Sequence, residues 1–356
     1  MTNPNVLIFA PRDEPAEILA RLESVGVSLT YGEKDWQWTR KPENEDEVIA
    51  AARTSVGLMG SMIRCAPISR RVLESTQRLR IVAKYTVGVD DVDVEAATEL
   101  GIMVCHAPTE ANCYGVAETT MTFILAMLKK VQERDAAVRA GRWREPSLMT
   151  TFLGARVSEG TSGITIGLVG LGRIALRVAQ LLAPWRVRII AFDPYAEPWK
   201  FQLANAERVD YETLLRESDV VSFHVVLTNE TRFMMDEKEL ALCKKGATII
   251  NTARGKVIRE EALARAITAG HIAGAALDVF EDEPLPMDSP LRALGTKVLL
   301  SPHAASYNAG GELRPGMVWA VQSMLTALRG GVPDNVYNKA VIPRWLERFG
   351  GASVID

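Results

Sequence analysis

Ile164-Thr-Ile-Gly-Leu-Val169-Gly170-Leu-Gly172-Arg-Ile-Ala175, with Asp193 closing the next apolar run, is the stretch on which the fold turns. An apolar strand over 164–169 turns sharply at Gly170. Gly172 lets the backbone approach a pyrophosphate, and small Ala175 lets the following helix sit close to the sheet. That helix, expected over 173–183, repeats apolar residues at Ile174, Val178, Leu181 and Leu182 and stops before Pro184. Its N-terminus offers amides and a partial positive charge to phosphate. A second strand over 187–192 delivers Asp193, 21 residues beyond Gly172, where a carboxylate can accept the ribose hydroxyls of an adenosine. Glycine-rich turns alone are common; strand, helix, strand and acid in this order point to a dinucleotide. The same carboxylate repels a 2′-phosphate, and Pro194 and Tyr195 bring no cation to receive one. NAD is therefore expected rather than NADP.

A chain of 356 residues suits two domains better than one. Its 47% apolar content is that of an ordinary globular protein. A net charge of −3 gives no basic footprint for nucleic acid, so a small-molecule partner is expected. Cys65, Cys105, Cys113 and Cys243 are scattered, with no CxxC pair and only four histidines in the chain. Neither a disulfide framework nor a metal site is expected, and the thiols read as reduced and partly buried. The apolar run 6–10 ends at Pro11-Arg12-Asp13 with no basic segment before it, unlike a signal peptide. The longest candidate span, 121–128, is far too short for a bilayer. These features predict a cytoplasmic protein with no membrane partner.

Ahead of the glycine-rich turn, strand-like runs at 5–9, 27–31, 57–61, 80–84 and 102–105 alternate with helical patterns at 14–25, 46–52, 69–76 and 92–100. That alternation reads as an α/β unit with a doubly wound parallel sheet. One long helix is expected over 114–139. The irregular segment 143–163 reads as an arm reaching a second subunit, or as a loop. After Asp193, strands are expected at 220–223, 247–250, 273–279 and 297–300, with helices near 211–217, 236–244 and 259–269. The helical pattern 313–328 has no further sheet to join and is assigned, with the tail, to the first half. The expected organisation is two doubly wound parallel-sheet domains: a nucleotide-binding domain, 113–307, inserted into a domain made of 1–112 and 308–356, the chain crossing between them twice.

Polar residues cluster at the carboxyl ends of the expected strands, where open parallel sheets bind ligands: Asp193, His224, Thr252-Ala253-Arg254-Gly255, Asp278, Glu283 and His303. Taken singly, Arg254 could be a surface ion pair, Asp278 a turn residue, and Glu283 one of the solvated acids Glu281-Asp282-Glu283. Together they supply a hydride-transfer site. A guanidinium binds an α-keto carboxylate in a fork geometry that lysine cannot match. An imidazole exchanges the hydroxyl proton near neutral pH. A neighbouring carboxylate orients the ring and favours its protonated form. With a nicotinamide carrying the hydride, no metal is needed.

The runs Gly167-Leu-Val-Gly-Leu-Gly-Arg-Ile174, Asn251-Thr-Ala-Arg254-Gly255, Ala275-Ala-Leu-Asp278-Val-Phe280, Asp282-Glu283-Pro284 and Ser301-Pro302-His303 resemble the NAD-dependent D-isomer-specific 2-hydroxyacid dehydrogenases. Val87-Gly88-Val89-Asp90 and Val116-Ala117-Glu118 extend the likeness over nearly the whole chain. The resemblance implies a Rossmann NAD-binding domain inserted into a flavodoxin-like substrate domain, and a homodimer. It implies Arg254, Glu283 and His303 as catalytic: carboxylate clamp, partner of the histidine, and proton donor and acceptor. It puts Gly170, Gly172, Arg173 and Ile174 against the pyrophosphate, Asp193 on the adenosine ribose, and Asp278 on the nicotinamide carboxamide. Val225, Thr252, Ala253 and Ser306 complete the cofactor contacts. Backbone amides at Val87 and Gly88 would hold the other face of the substrate carboxylate.

The chain departs from that pattern at three places. Thr86 stands where the family often has glycine, His106 replaces a common asparagine, and His224-Val-Val-Leu-Thr-Asn229 lacks the usual prolines. These bear on loop conformation, not on the reaction. Residues 60–64 lie where relatives contact the substrate side chain, with Arg64 about one position from the place of a phosphate-binding residue. The chain runs only about 50 residues past His303, too few for the regulatory domain of many phosphoglycerate dehydrogenases. A formate- or phosphite-type dehydrogenase is the nearest enzymatic alternative; the resemblance would predict glutamine in place of Glu283 for formate. A non-catalytic, NAD(H)-sensing corepressor-like protein is the alternative from another class.

Overall fold

The computed structural model describes residues 3–10, 16–33, 36, 44–61, 66–308 and 313–355. Pro11, Arg12, Asp13, Met62, Ile63, Arg64 and Cys65, singled out above, lie outside them. The chain divides into two compact units, 1–112 with 309–356, and 113–308; the second boundary falls one residue later than the sequence reading put it.

The first unit opens with β1 (Asn5–Ala10), α1 (Ala16–Glu23), β2 (Ser28–Tyr31), α2 (Asn44–Ala52), β3 (Ser55–Gly60), α3 (Arg70–Leu73), β4 (Ile81–Lys84), α4 (Val94–Glu99) and β5 (Met103–Cys105). The strands form one parallel sheet in the order β2-β1-β3-β4-β5, the doubly wound order with β1 at the switch. Helices cover both faces of such a sheet, so its strands are continuous buried runs rather than alternating ones; every residue of β3 and β4 is buried. Caps start the helices where local chemistry allows: the Asp93 carboxylate accepts the Ala96 N–H at the head of α4.

The second unit holds α5 (Glu110–Leu128, from its fourth residue on) and α6 (Val131–Arg139), followed by β6 (Thr165–Val169), α7 (Arg173–Leu182), β7 (Arg188–Phe192), α8 (Pro198–Leu203) and β8 (Glu207–Arg208). Then come α9 (Tyr211–Glu217), β9 (Val220–Phe223), α10 (Glu237–Leu242), β10 (Thr248–Asn251), α11 (Glu260–Thr268), β11 (Gly274–Leu277) and β12 (Val298–Leu300). The single helix expected over 114–139 is two. Lys130 takes a left-handed conformation (φ 50°), which ends the hydrogen-bond ladder of α5. Lys129, Lys130 and Arg134 then reach the carbonyls of Thr151, Ser147 and Leu148, tying the break to the following segment.

The seven strands are all parallel, in the order β12-β11-β10-β9-β6-β7-β8. The chain winds outward from β6 to β8 and restarts on the other side at β9, so the switch point lies between β6 and β9. One face of this sheet packs on α5, α7 and α8 through Ile124, Val178, Leu182 and Phe201. The other packs on α9, α10 and α11 through Leu214, Leu240 and Leu263.

Finally α12 (Arg314–Leu328) and α13 (Ile342–Phe349) return to the first unit. Met317, Val321, Met324 and Trp345 bury one face of its sheet together with α1, while α2, α3 and α4 cover the other. Among the described residues no helix is long and apolar enough to cross a membrane.

Candidate active site

Strand register brings the functional residues of the second unit together. Phe192, Val169, Phe223, Asn251, Leu277 and Leu300 are paired neighbour to neighbour across β7, β6, β9, β10, β11 and β12. Each is the last residue of its strand. The next residues in the chain are therefore side by side at one sheet edge: Asp193, Gly170, His224, Thr252, Asp278 and Ser301. With strands about 4.8 Å apart, this row is long enough for an extended dinucleotide.

At the switch point the cradle has the form that a dinucleotide needs. Gly170 holds φ +88°, and a Cβ there would sit 3.0 Å from the backbone carbonyl of His224 and from Cγ1 of Val225. Gly172 caps α7 with no side-chain bond, and a Cβ on it would meet nothing within 4 Å. Space is thus left beside the first turn of α7, where Arg173 is exposed and Ile174 half-buried, while Ala175 is fully buried against the sheet. Asp193 has a further task. Its Oδ2 accepts the Leu171 N–H at 2.8 Å and its Oδ1 the Tyr195 N–H at 2.9 Å. Each carboxylate oxygen has a second lone pair, so both can still accept a ribose hydroxyl. These features fit bound NAD.

Beyond β10 the loop 251–255 is shaped by Asn251, whose Oδ1 accepts the Ala253 N–H and whose Nδ2 donates to the Arg254 carbonyl, both at 3.0 Å. Arg254 is half-buried and directs one Nη1 hydrogen bond to the Ala253 carbonyl. A Cβ on Gly255 would lie 1.8 Å from the Phe280 carbonyl, so only glycine allows this loop to rest on the segment that leads to Glu283. Thr252 is buried and shares a hydrogen bond with Thr120 of α5 at 2.9 Å.

Glu283 and His303 form a pair. Glu283 Oε2 lies 2.8 Å from His303 Nδ1, and Glu283 Oε1 accepts the Phe280 N–H at 3.1 Å. The His303 side chain is 27% exposed and that of Glu283 17%. With Nδ1 committed to the carboxylate, Nε2 is the ring nitrogen left for chemistry. Asp278, 1% exposed, holds the loop that carries the histidine: it accepts from the Ser301 hydroxyl, the Ala304 N–H and the Ala305 N–H. Ser306 follows, half-buried. The other histidine at this edge is not an acid–base candidate. His224 bonds to the Ser222 hydroxyl, and burial pushes its pKa down to about 4.

Val87 and Gly88 belong to the first unit, half-buried in the loop after β4. Thr86 donates its hydroxyl proton to the Gly88 carbonyl, and His106 Nδ1 lies 3.2 Å from the Val87 carbonyl. Two of the three departures noted in the sequence, Thr86 and His106, thus act on this loop.

Several contributors were not singled out in the sequence. Asn251 and Ser301 stand in quoted motifs, and their small polar side chains next to strand ends were the available signal. Thr120 had none, because its partner lies 132 residues away.

The sequence profile of the D-isomer specific 2-hydroxyacid dehydrogenase NAD-binding domain matches residues 121–305. The glyoxylate reductase of Thermofilum pendens is 36% identical over 347 residues, which cover 96% of each chain. The D-3-phosphoglycerate dehydrogenase of Mycobacterium tuberculosis is 36% identical over 350 residues, 96% of this chain but 61% of the longer relative. A solved glyoxylate reductase from Paecilomyes thermophila superposes with a TM-score of 0.81 at 25% identity, over 95% of this chain and 99% of the other. The chain belongs to the D-isomer-specific 2-hydroxyacid dehydrogenases, NAD-dependent oxidoreductases that interconvert 2-hydroxy acids and 2-keto acids.

Proposed function

We propose that the chain acts on a CH–OH donor as a reductase of small 2-keto acids of the glyoxylate class, with the D enantiomer formed where the product is chiral. The His303–Glu283 pair carries this reading, because it leaves Nε2 of an oriented imidazole available at the strand-end row. NADH, when held there, would supply the hydride that the carbonyl carbon receives. His303 gives the proton on Nε2 to the carbonyl oxygen, and in the reverse direction takes it back from the hydroxyl. Glu283 stabilises the charged ring before the proton leaves. Arg254 holds the carboxylate in a paired geometry and faces the charge that develops on the carbonyl oxygen. Backbone amides at Val87 and Gly88 bind the same carboxylate.

For the cofactor, Gly170, Gly172, Arg173 and Ile174 take the pyrophosphate and Asp193 the adenosine ribose. Val225, Thr252, Ala253, Asp278 and Ser306 border the nicotinamide end. The glyoxylate class is preferred because a relative of that name aligns over 96% of both chains.

The test is NADH consumption with glyoxylate, hydroxypyruvate, pyruvate, longer and aromatic 2-keto acids, and 3-phosphohydroxypyruvate, followed by oxidation of purified D and L products. Small unphosphorylated keto acids should react fastest and only D acids should be oxidised. Arg254→Lys should raise KM and lower kcat for the best substrate while leaving NADH affinity near wild type. Lack of keto-acid turnover, or full activity in Arg254→Lys, refutes the reading.

A further inference from the structure

In the first unit, two side chains set the direction of backbone donors in the loop after β4. A carbonyl oxygen only accepts, so the 3.2 Å contact from His106 to the Val87 carbonyl requires the proton on Nδ1. The Thr86 hydroxyl donates to the Gly88 carbonyl at 3.0 Å. A trans peptide is planar, and its N–H points opposite to its C=O. Holding the Val87 carbonyl against His106 therefore aims the Gly88 N–H away from the imidazole. Holding the Gly88 carbonyl against Thr86 fixes the next peptide, and with it the Val89 N–H, in the same way.

The imidazole is itself anchored. The His106 N–H donates to the Asn335 carbonyl at 3.3 Å, and the His106 carbonyl accepts from Asn335 Nδ2 at 2.6 Å. Its ring meets that of Tyr337 edge-on, with centroids 5.4 Å apart. Both ends of the loop are held too: the Tyr85 N–H bonds to the Gly60 carbonyl, and buried Lys84 pairs with Asp91. Between those ends, His106 and Thr86 hold the two carbonyls that set the peptide planes.

We propose that His106 is a positioning residue for the substrate carboxylate: by gripping the Val87 carbonyl it holds the Gly88 N–H in a binding orientation, with Thr86 as a second latch. This rests on the reading that Val87 and Gly88 bind the carboxylate. The neutral Nδ1–H tautomer and the imidazolium both donate from Nδ1, so the grip survives protonation of the ring.

The experiment compares His106→Phe, which keeps a ring against Tyr337 but has no donor, with His106→Asn, which keeps an N–H donor. Each is assayed with NADH and the best keto acid of the panel, alongside NADH binding and a pH profile. His106→Phe should raise the keto-acid KM roughly three- to tenfold, as expected for one lost hydrogen bond. Its kcat should stay within about twofold, and neither NADH affinity nor the pH limbs should move. His106→Asn should recover most of the KM. An unchanged KM in His106→Phe, or equal damage in both variants, overturns the proposal. Should His106→Phe fail to fold, Thr86→Val must raise KM in the same direction; an unchanged KM there overturns it as well. If Arg254→Lys raises KM and His106→Phe does not, this proposal fails alone. If no keto acid is turned over, both fall.

Discussion

At the residue scale the pair His303–Glu283 makes the sharpest prediction. The two groups are 2.8 Å apart, so the carboxylate holds the ring through Nδ1 and faces the charge that the ring carries as a donor. Reduction needs a proton on Nε2 to give, and oxidation needs Nε2 open to take one. Glu283→Gln keeps size and a hydrogen bond but removes the charge. It should therefore lower kcat in both directions, with NADH affinity near wild type. Rates measured in both directions beside NADH binding check this, and an unchanged kcat removes Glu283 from the role. Asp193 makes a double prediction because it is the residue proposed to bind the ribose and it ties Leu171 to Tyr195. Asp193→Ser combined with Tyr195→Arg should raise activity with NADPH relative to NADH. It should also lower Tm by about 2–4 °C, the scale of about 1 kcal/mol in a domain of this size. A thermal scan beside the two cofactor assays reads both effects; a shift in cofactor preference with no loss in Tm would show that the loop does not depend on Asp193.

At the element scale, the start of α11 is joined to the segment that presents Glu283. The Glu260 N–H donates to Glu281 Oε1 at 2.7 Å, and Glu260 Oε1 accepts the Glu281 N–H in return. Burial pushes the Glu260 pKa from 4.5 up to about 7, and the charges of Glu281, Asp282 and Glu283 add to the rise. The folded state therefore binds more protons than the unfolded state between about pH 4.5 and 7. Stability from this group is full below that window and is lost as pH rises through it. Glu260→Gln keeps an oxygen to accept the Glu281 N–H but cannot ionise. Its Tm should therefore gain on wild type between pH 5 and pH 8 in parallel denaturation curves. A constant gap between the two proteins would show that Glu260 is not ionising in this window.

At the scale of the whole molecule, the segment after α6 stands out. Trp143, Met149, Phe152 and Val157 are 66–82% exposed, and Val131 and Val138 of α6 are also exposed. Of these, Val138, Trp143 and Met149 border one surface pocket, and exposed apolar side chains grouped in this way mark an interaction site. A twofold dimer, in which each subunit offers the same patch, is the simplest way to cover them. Light scattering should therefore find a homodimer, and Trp143→Asp with Phe152→Asp should release folded monomers. A monomeric wild type would contradict this.

What was legible in the sequence was what local chemistry dictates. Strand and helix periods, a sharp-turn glycine at 170 and an acid after the next strand need only neighbours in the chain, and they suffice for two parallel α/β sheets and a nucleotide edge. The short β8, and α8 and α13, gave too few periods to read. The left-handed Lys130 was hidden because its bonds go to carbonyls beyond the helix. Tertiary structure alone decided the register that lines up six strand ends, since pairing depends on residues far apart in sequence. It also decided the commitment of Asp278 to the His303 loop, the need for glycine at 255 against Phe280, and the grip of His106 on Val87. Each of these is a directional contact between backbone or polar atoms, and a sequence lists such groups without saying which of them will meet.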